Sequence, residues 1–237
     1  MRQIRTALLS VSKNHLIVER RTLPMKKLFT ALLCAALTFS LLASCGNGNS
    51  GTNANNNGNS TSANQSSGSA SDAELPELTG GFEAPILLTS AGQSADSDII
   101  KTLCTKANIT VELENQATAE NLDGIKTLLI SVGGSSKGLG AAGIDADQEI
   151  ARVQDLIQAA QDAGIKIVAM HVGGAPRRGD LSDKFLADPF HAADAAVVVS
   201  TGDSDGLIRG LLAENSVPTA YVGSQADCIG CLTTLFS

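Results

Sequence analysis

Residues 127–170 read TLLISVGGSSKGLGAAGIDADQEIARVQDLIQAAQDAGIKIVAM, and this stretch decides the fold. Thr127 to Val132 is a short, mostly apolar run without polar alternation, as expected of a strand buried on both faces. Asp145 to Ala163 then reads as a helix with Ile150, Val153, Leu156, Ile157 and Ala160 on one side. Asp145 is a suitable N-cap, and Gln148 three residues on completes a capping box. Gly164 supplies the stop. Ile165 to Met170 is a second buried run. Strand, covering helix and strand form the repeating unit of a parallel sheet.

Outward from this unit the alternation continues. Pro85 to Ser90, Ile109 to Leu113, Ala195 to Ser200 and Thr219 to Val222 read as further strands. Ser94 to Asn108 and Gly206 to Asn215 read as helices, the first with Ile99, Ile100, Leu103 and Cys104 at helical spacing. The expected class is α/β, a three-layer sandwich with a mostly parallel sheet of five or six strands, flavodoxin-like or Rossmann-like. Strand order is left open.

The residues before this domain have another character. Residues 25–45 read MKKLFTALLCAALTFSLLASC. Lys26 and Lys27 precede an uncharged run of 15 residues, Leu28 to Leu42. A spanning helix wants about 20, so a signal peptide over 25–44 fits better. Leu42-Ala43-Ser44-Cys45 has the form of a lipobox, with Cys45 as the acylated residue. Residues 1–24 are expected to be a start called too early, Met25 being the true beginning. Residues 46–71 hold no charge, no aromatic and no large aliphatic side chain. Such a segment cannot offset its ordering entropy, so 46–81 is expected to be a flexible tether and 82–237 a single domain.

Charge is split the same way. Of 17 basic and 24 acidic residues, seven and one fall in 1–44, leaving ten basic and 23 acidic for the rest. An acidic body with no Trp and one Tyr lacks both the basic face and the stacking platforms that nucleic acid requires.

In a parallel sheet, ligands bind beyond the carboxyl ends of the strands. Three loops there are unusual: Ser90 to Asp96, Gly133 to Asp145, and His171 to Asp180. Two exceed the usual 2–6 residues of such connections. Ser90, Gln93, Ser135, Ser136, Lys137, His171, Arg177 and Arg178 are the expected ligand-binding residues. Lys137, Arg177 and Arg178 would form a local positive spot for a small, polar, anionic solute. His171, oriented by Asp180, would serve a hydrolase or transferase if the protein is an enzyme; docking of a protein through the same loops is the third possibility. Asp96, Asp145 and Asp183 read more simply as helix caps or first-turn acids. Structural turns are the plainer account of the glycines themselves.

Other signals are weak. Gly138 to Gly143 matches GxGxxG, but five residues separate it from the strand, and no cofactor is expected. No HExxH occurs, only His171 and His191 lie beyond the signal, and no metal site is expected. Cys228-Ile229-Gly230-Cys231 is expected to close a local disulfide in a short tail, as suits an exported protein.

The segments PILLTSAGQSAD (85–96), VGGSSKGLGAAGID (132–145) and HVGGAPRRGDLSDKF (171–185) resemble a family of small exported bacterial domains, domain of unknown function number 6305. The resemblance spans Ala84 to Val222 and implies an α/β domain without a known activity; the CIGC tail stands outside it. Together these readings suggest a lipoprotein held on the membrane by Cys45, facing outside the cytoplasm, binding a small solute and passing it to a transporter or sensor.

Overall fold

The computed structural model describes residues 74–237. The signal peptide, Cys45 and the tether up to residue 73 lie outside the described residues. Six strands form one all-parallel sheet. They are β1 (Ile86–Ala91), β2 (Glu112–Leu113), β3 (Thr127–Val132), β4 (Lys166–His171), β5 (Ala195–Val199) and β6 (Thr219–Val222). Their order, β2-β1-β3-β4-β5-β6, is the doubly wound flavodoxin-like order extended by one strand. Six helices connect or follow them: α1 (Asp96–Lys106), α2 (Ser136–Ala142), α3 (Ala146–Asp162), α4 (Ala187–Ala192), α5 (Leu207–Glu214) and α6 (Cys228–Leu235).

Strand side chains alternate between two cores. Leu87, Leu128, Ile130, Ile167, Ala169 and Val198 face one side, where α3, α4 and α5 pack through Val153, Leu156, Phe190 and Ile208. Leu88, Leu129, Val168, Met170 and Val197 face the other, where α1 and α6 pack through Ile100, Cys104, Cys228 and Leu232. The result is three layers. Asp145 caps α3 in a full capping box with Gln148, as its spacing predicts.

Two boundaries differ from the sequence reading. The segment after β6 is not a tail but helix α6, which covers the sheet. The domain also begins before Phe82. Leu75 packs on one core and Leu78 on the other. Pro76 O accepts from Thr219 N at 2.9 Å, Phe82 N donates to Leu235 O at 3.0 Å, and Glu83 O accepts from Thr127 Oγ1 at 2.8 Å. Thr127 and Thr219 open β3 and β6, so residues 75–83 form a strap along the amino edge of the sheet.

Candidate functional site

The carboxyl edge is organised by one buried charge pair. On the core face of α3, Glu149 sits one turn before Val153, wholly buried. Its Oε2 accepts from Arg152 Nε at 2.8 Å, and its Oε1 accepts from Gly92 N at 2.9 Å and Gln93 Nε2 at 3.0 Å. Arg152 also donates to Ala117 O at 2.8 Å and to Ser90 O. Burying two charges is costly unless the remaining hydrogen-bonding positions are filled. Here they are filled by backbone from the end of β1, the loop after it and the loop after β2, and by the Gln93 side-chain amide. The pair fixes these three segments to α3.

The loops after β1 and β3 are zipped together as well. Gly133 N donates to Ala91 O at 3.0 Å and Ser135 N to Gly92 O at 2.8 Å, with a bridge between Gln93 and Gly134. Glycine is needed for this approach. Gly92 has φ +101, and a Cβ there would lie 2.6 Å from Gly133 O. A Cβ on Gly138 would collide with the Gln93 carbonyl oxygen. With this strand order a ligand crevice would fall at the β1/β3 switch point; here the zipped loops fill it, and the open space lies to one side.

That space is a pocket of about 450 Å³ between α1, α2 and the end of β2. Gln93, Asn115, Ser135, Lys137 and Asp98 supply its polar walls, and Ala141 and Ala142 part of the apolar one. Gln93 holds a left-handed backbone, φ 56, unusual for a residue with a side chain. Its Nε2 donates to Asn115 O at 2.8 Å as well as to Glu149. Ser135 caps α2 by accepting from Gly138 N at 3.1 Å. Asn115 Oδ1 is buried without a hydrogen-bond partner.

Three expected ligand residues, Gln93, Ser135 and Lys137, thus share one pocket. Ser136 is exposed beside Lys137 but does not line it. The other four stand elsewhere. Ser90 is 0 % exposed within β1, so no ligand reaches it. His171 is also wholly buried: Nδ1 lies 2.9 Å from Val132 O and Nε2 3.4 Å from Gly174 O, with Gly202 packed on the ring. Its ring nitrogens face backbone carbonyls, the closer being Val132 O, rather than Asp180. Arg177 runs across Gly133 and Gly173, which leave room for its stem, and its Nε is 3.2 Å from Oδ2 of the buried Asp96. Arg178 clamps two loops, bonding Asp183 at 2.7 Å, Asp205 at 2.9 Å, and Gly202 O. Its guanidinium holds both carboxyls below their ordinary range. The expected positive spot is thus two neutralised arginines and a separate Lys137.

The Cys228–Cys231 disulfide is likewise absent, and both residues are free thiols in α6. Cys228 faces the core, and burial pushes its thiol up to about 12. Among the described residues, no three His, Cys, Asp or Glu side chains gather as a metal would require.

Residues 83–236 match DUF6305, described as a domain of unknown function. The chain belongs to this family. The DUF6305 match takes in Cys228 to Cys231, so α6 is part of the family's domain and not an addition to it. No curated protein matches the chain.

Proposed function

We propose that this DUF6305 protein is a membrane-anchored, extracytoplasmic binding protein that takes a small polar ligand in the pocket between α1 and α2. The observation that carries the reading is the buried Glu149–Arg152 pair. It commits a wholly buried carboxylate and a largely buried guanidinium to holding Gly92, Gln93 and the backbone around Ser90 and Ala117 in place. Gln93 stands in a strained conformation at the pocket wall, and strain of this kind gathers at binding sites. Fixing the wall in advance reduces the ordering cost of binding.

The rest of the chain agrees with export and anchoring. The charged start, apolar run and Leu-Ala-Ser-Cys sequence at 42–45 support a lipid on Cys45. The strap enters along the amino edge of the sheet, and the pocket opens at the carboxyl edge. Burial of His171 removes the base on which an enzyme reading depended. Among the described residues Leu207 is the only large apolar side chain counted as exposed, which gives a protein partner little apolar surface to dock on.

The test is thermal unfolding of the full chain against a panel of small metabolites, beside Lys137→Ala. A ligand at a hundredfold its Kd stabilises the native state by about 2.7 kcal/mol. A shift in the wild type that shrinks in Lys137→Ala supports the reading. No shift with any compound overturns it.

A further inference from the structure

Two opposite charges line the pocket without touching each other. Lys137, in the first turn of α2, and Asp98, in the first turn of α1, are both exposed. Among the described residues, neither side chain makes a hydrogen bond or an ion pair. The nearby loop arginines are all engaged: Arg152 with Glu149, Arg177 with Asp96, Arg178 with Asp183 and Asp205. Lys137 and Asp98 are therefore the charges this pocket offers to a ligand.

The remaining polar groups are neutral, the amides of Gln93 and Asn115 and the hydroxyl of Ser135. No aromatic ring lines the walls, so a sugar or base ring finds no face to stack on. A phosphate ester would set about two negative charges against one lysine, with Asp98 repelling it. A simple carboxylate meets the same repulsion. A molecule with both an ammonium and a carboxylate satisfies both walls and gains in selectivity over either ion alone.

We infer that the ligand is a small zwitterion of the amino-acid or short-peptide class, its carboxylate toward Lys137 and its ammonium toward Asp98. The inference rests on the pocket being the binding site, and it replaces the anionic solute expected from sequence. The three small side chains Ala95, Ala141 and Ala142 leave room for the ligand's apolar part.

Calorimetric titration of the full chain decides it. The probes are the common amino acids and alanyl-alanine, each beside its N-acetylated acid and its amide, with glucose as a neutral control. The expected result is that a free zwitterion binds and each blocked form binds at least about tenfold more weakly, the factor that about 1.4 kcal/mol of lost charge pairing gives. Asp98→Asn should abolish the preference for the free form over the N-acetylated acid. Lys137→Gln should abolish its preference over the amide. If an N-acetylated acid or glucose binds as tightly as any zwitterion, the inference fails while the pocket stands. If the zwitterion binds and both variants leave its affinity unchanged, the placement fails. If no probe binds, the inference fails, and the metabolite panel above decides the pocket separately.

Discussion

Arg152 Nε stands 2.8 Å from Glu149 Oε2, at a carboxylate with no exposed surface, one helical turn from the core residue Val153. A charged pair here replaces what would ordinarily be two apolar side chains. Removing Glu149 leaves the largely buried Arg152 without its counter-charge and the buried Gly92 N without its acceptor. Glu149→Ala should lower stability by about 3–5 kcal/mol, measured by urea unfolding at neutral pH. The double variant Glu149→Leu, Arg152→Met should recover only part of that loss, because Gly92 N, Ser90 O and Ala117 O are left without partners, and it should bind ligand poorly because the pocket wall is no longer held. A single variant costing less than about 1 kcal/mol would contradict the account.

Two glycines two residues apart should respond oppositely to alanine. Gly138 lies against the Gln93 carbonyl oxygen, whereas nothing is near a Cβ on Gly140. Gly138→Ala should destabilise by at least about 2 kcal/mol. Gly140→Ala should stabilise by about 1 kcal/mol through helix propensity. Equal effects in the same unfolding assay would show that the loops are not packed as described.

Arg178 makes the acid limb steeper. It holds Asp183 and Asp205 below their ordinary range. Between the depressed folded value and the unfolded value near about 3.9, the unfolded chain binds more protons. Stability from these groups is complete above that unfolded value and is lost as pH falls through the folded one. Arg178→Met should lower stability at neutral pH and flatten its decline below about pH 4. An unchanged acid limb would mean that the clamp is screened out in solution.

The three described cysteines should alkylate in a fixed order. Burial pushes Cys104 up to about 11 and Cys228 up to about 12, while Cys231 is raised but half-buried. Only thiolate reacts. At pH 8 iodoacetamide should label Cys231 first, with Cys104 and Cys228 following only under denaturant, as read by mass spectrometry after digestion. Early labelling of Cys228 would place α6 off the sheet.

The architecture was legible because its signals are local. The face formed by Val153, Leu156, Ile157 and Ala160, and the apolar runs of β1, β3, β4 and β5, carry their period in the chain itself. What failed was non-local or atypical. Helix α2 was hidden by Gly138 and Gly140, poor helix formers kept because a neighbouring loop presses on one of them. Helix α6 was hidden by its brevity and by the CxxC pattern, which suggested a disulfide. Glu149 stands in the first turn of α3, where an acid ordinarily faces solvent and suits the helix dipole; nothing in the sequence marks it, and only the packed structure shows it turned inward. Lys137, Arg177 and Arg178 look alike in sequence. Asp96 at the start of α1 neutralises Arg177, and Asp183 five residues on together with Asp205 after β5 neutralises Arg178; that pairing leaves Lys137 alone at the pocket.

The most direct test of the pocket is an amide chemical-shift titration of the isotopically labelled chain with free amino acids and alanyl-alanine. The account predicts that the largest shifts fall on Gln93, Ser94, Asn115, Ser135, Lys137 and Gly138, with Arg177, Arg178 and His171 nearly still. Shifts centred on the Arg177–Asp96 pair or on α6, or no shifts with any probe, would contradict it.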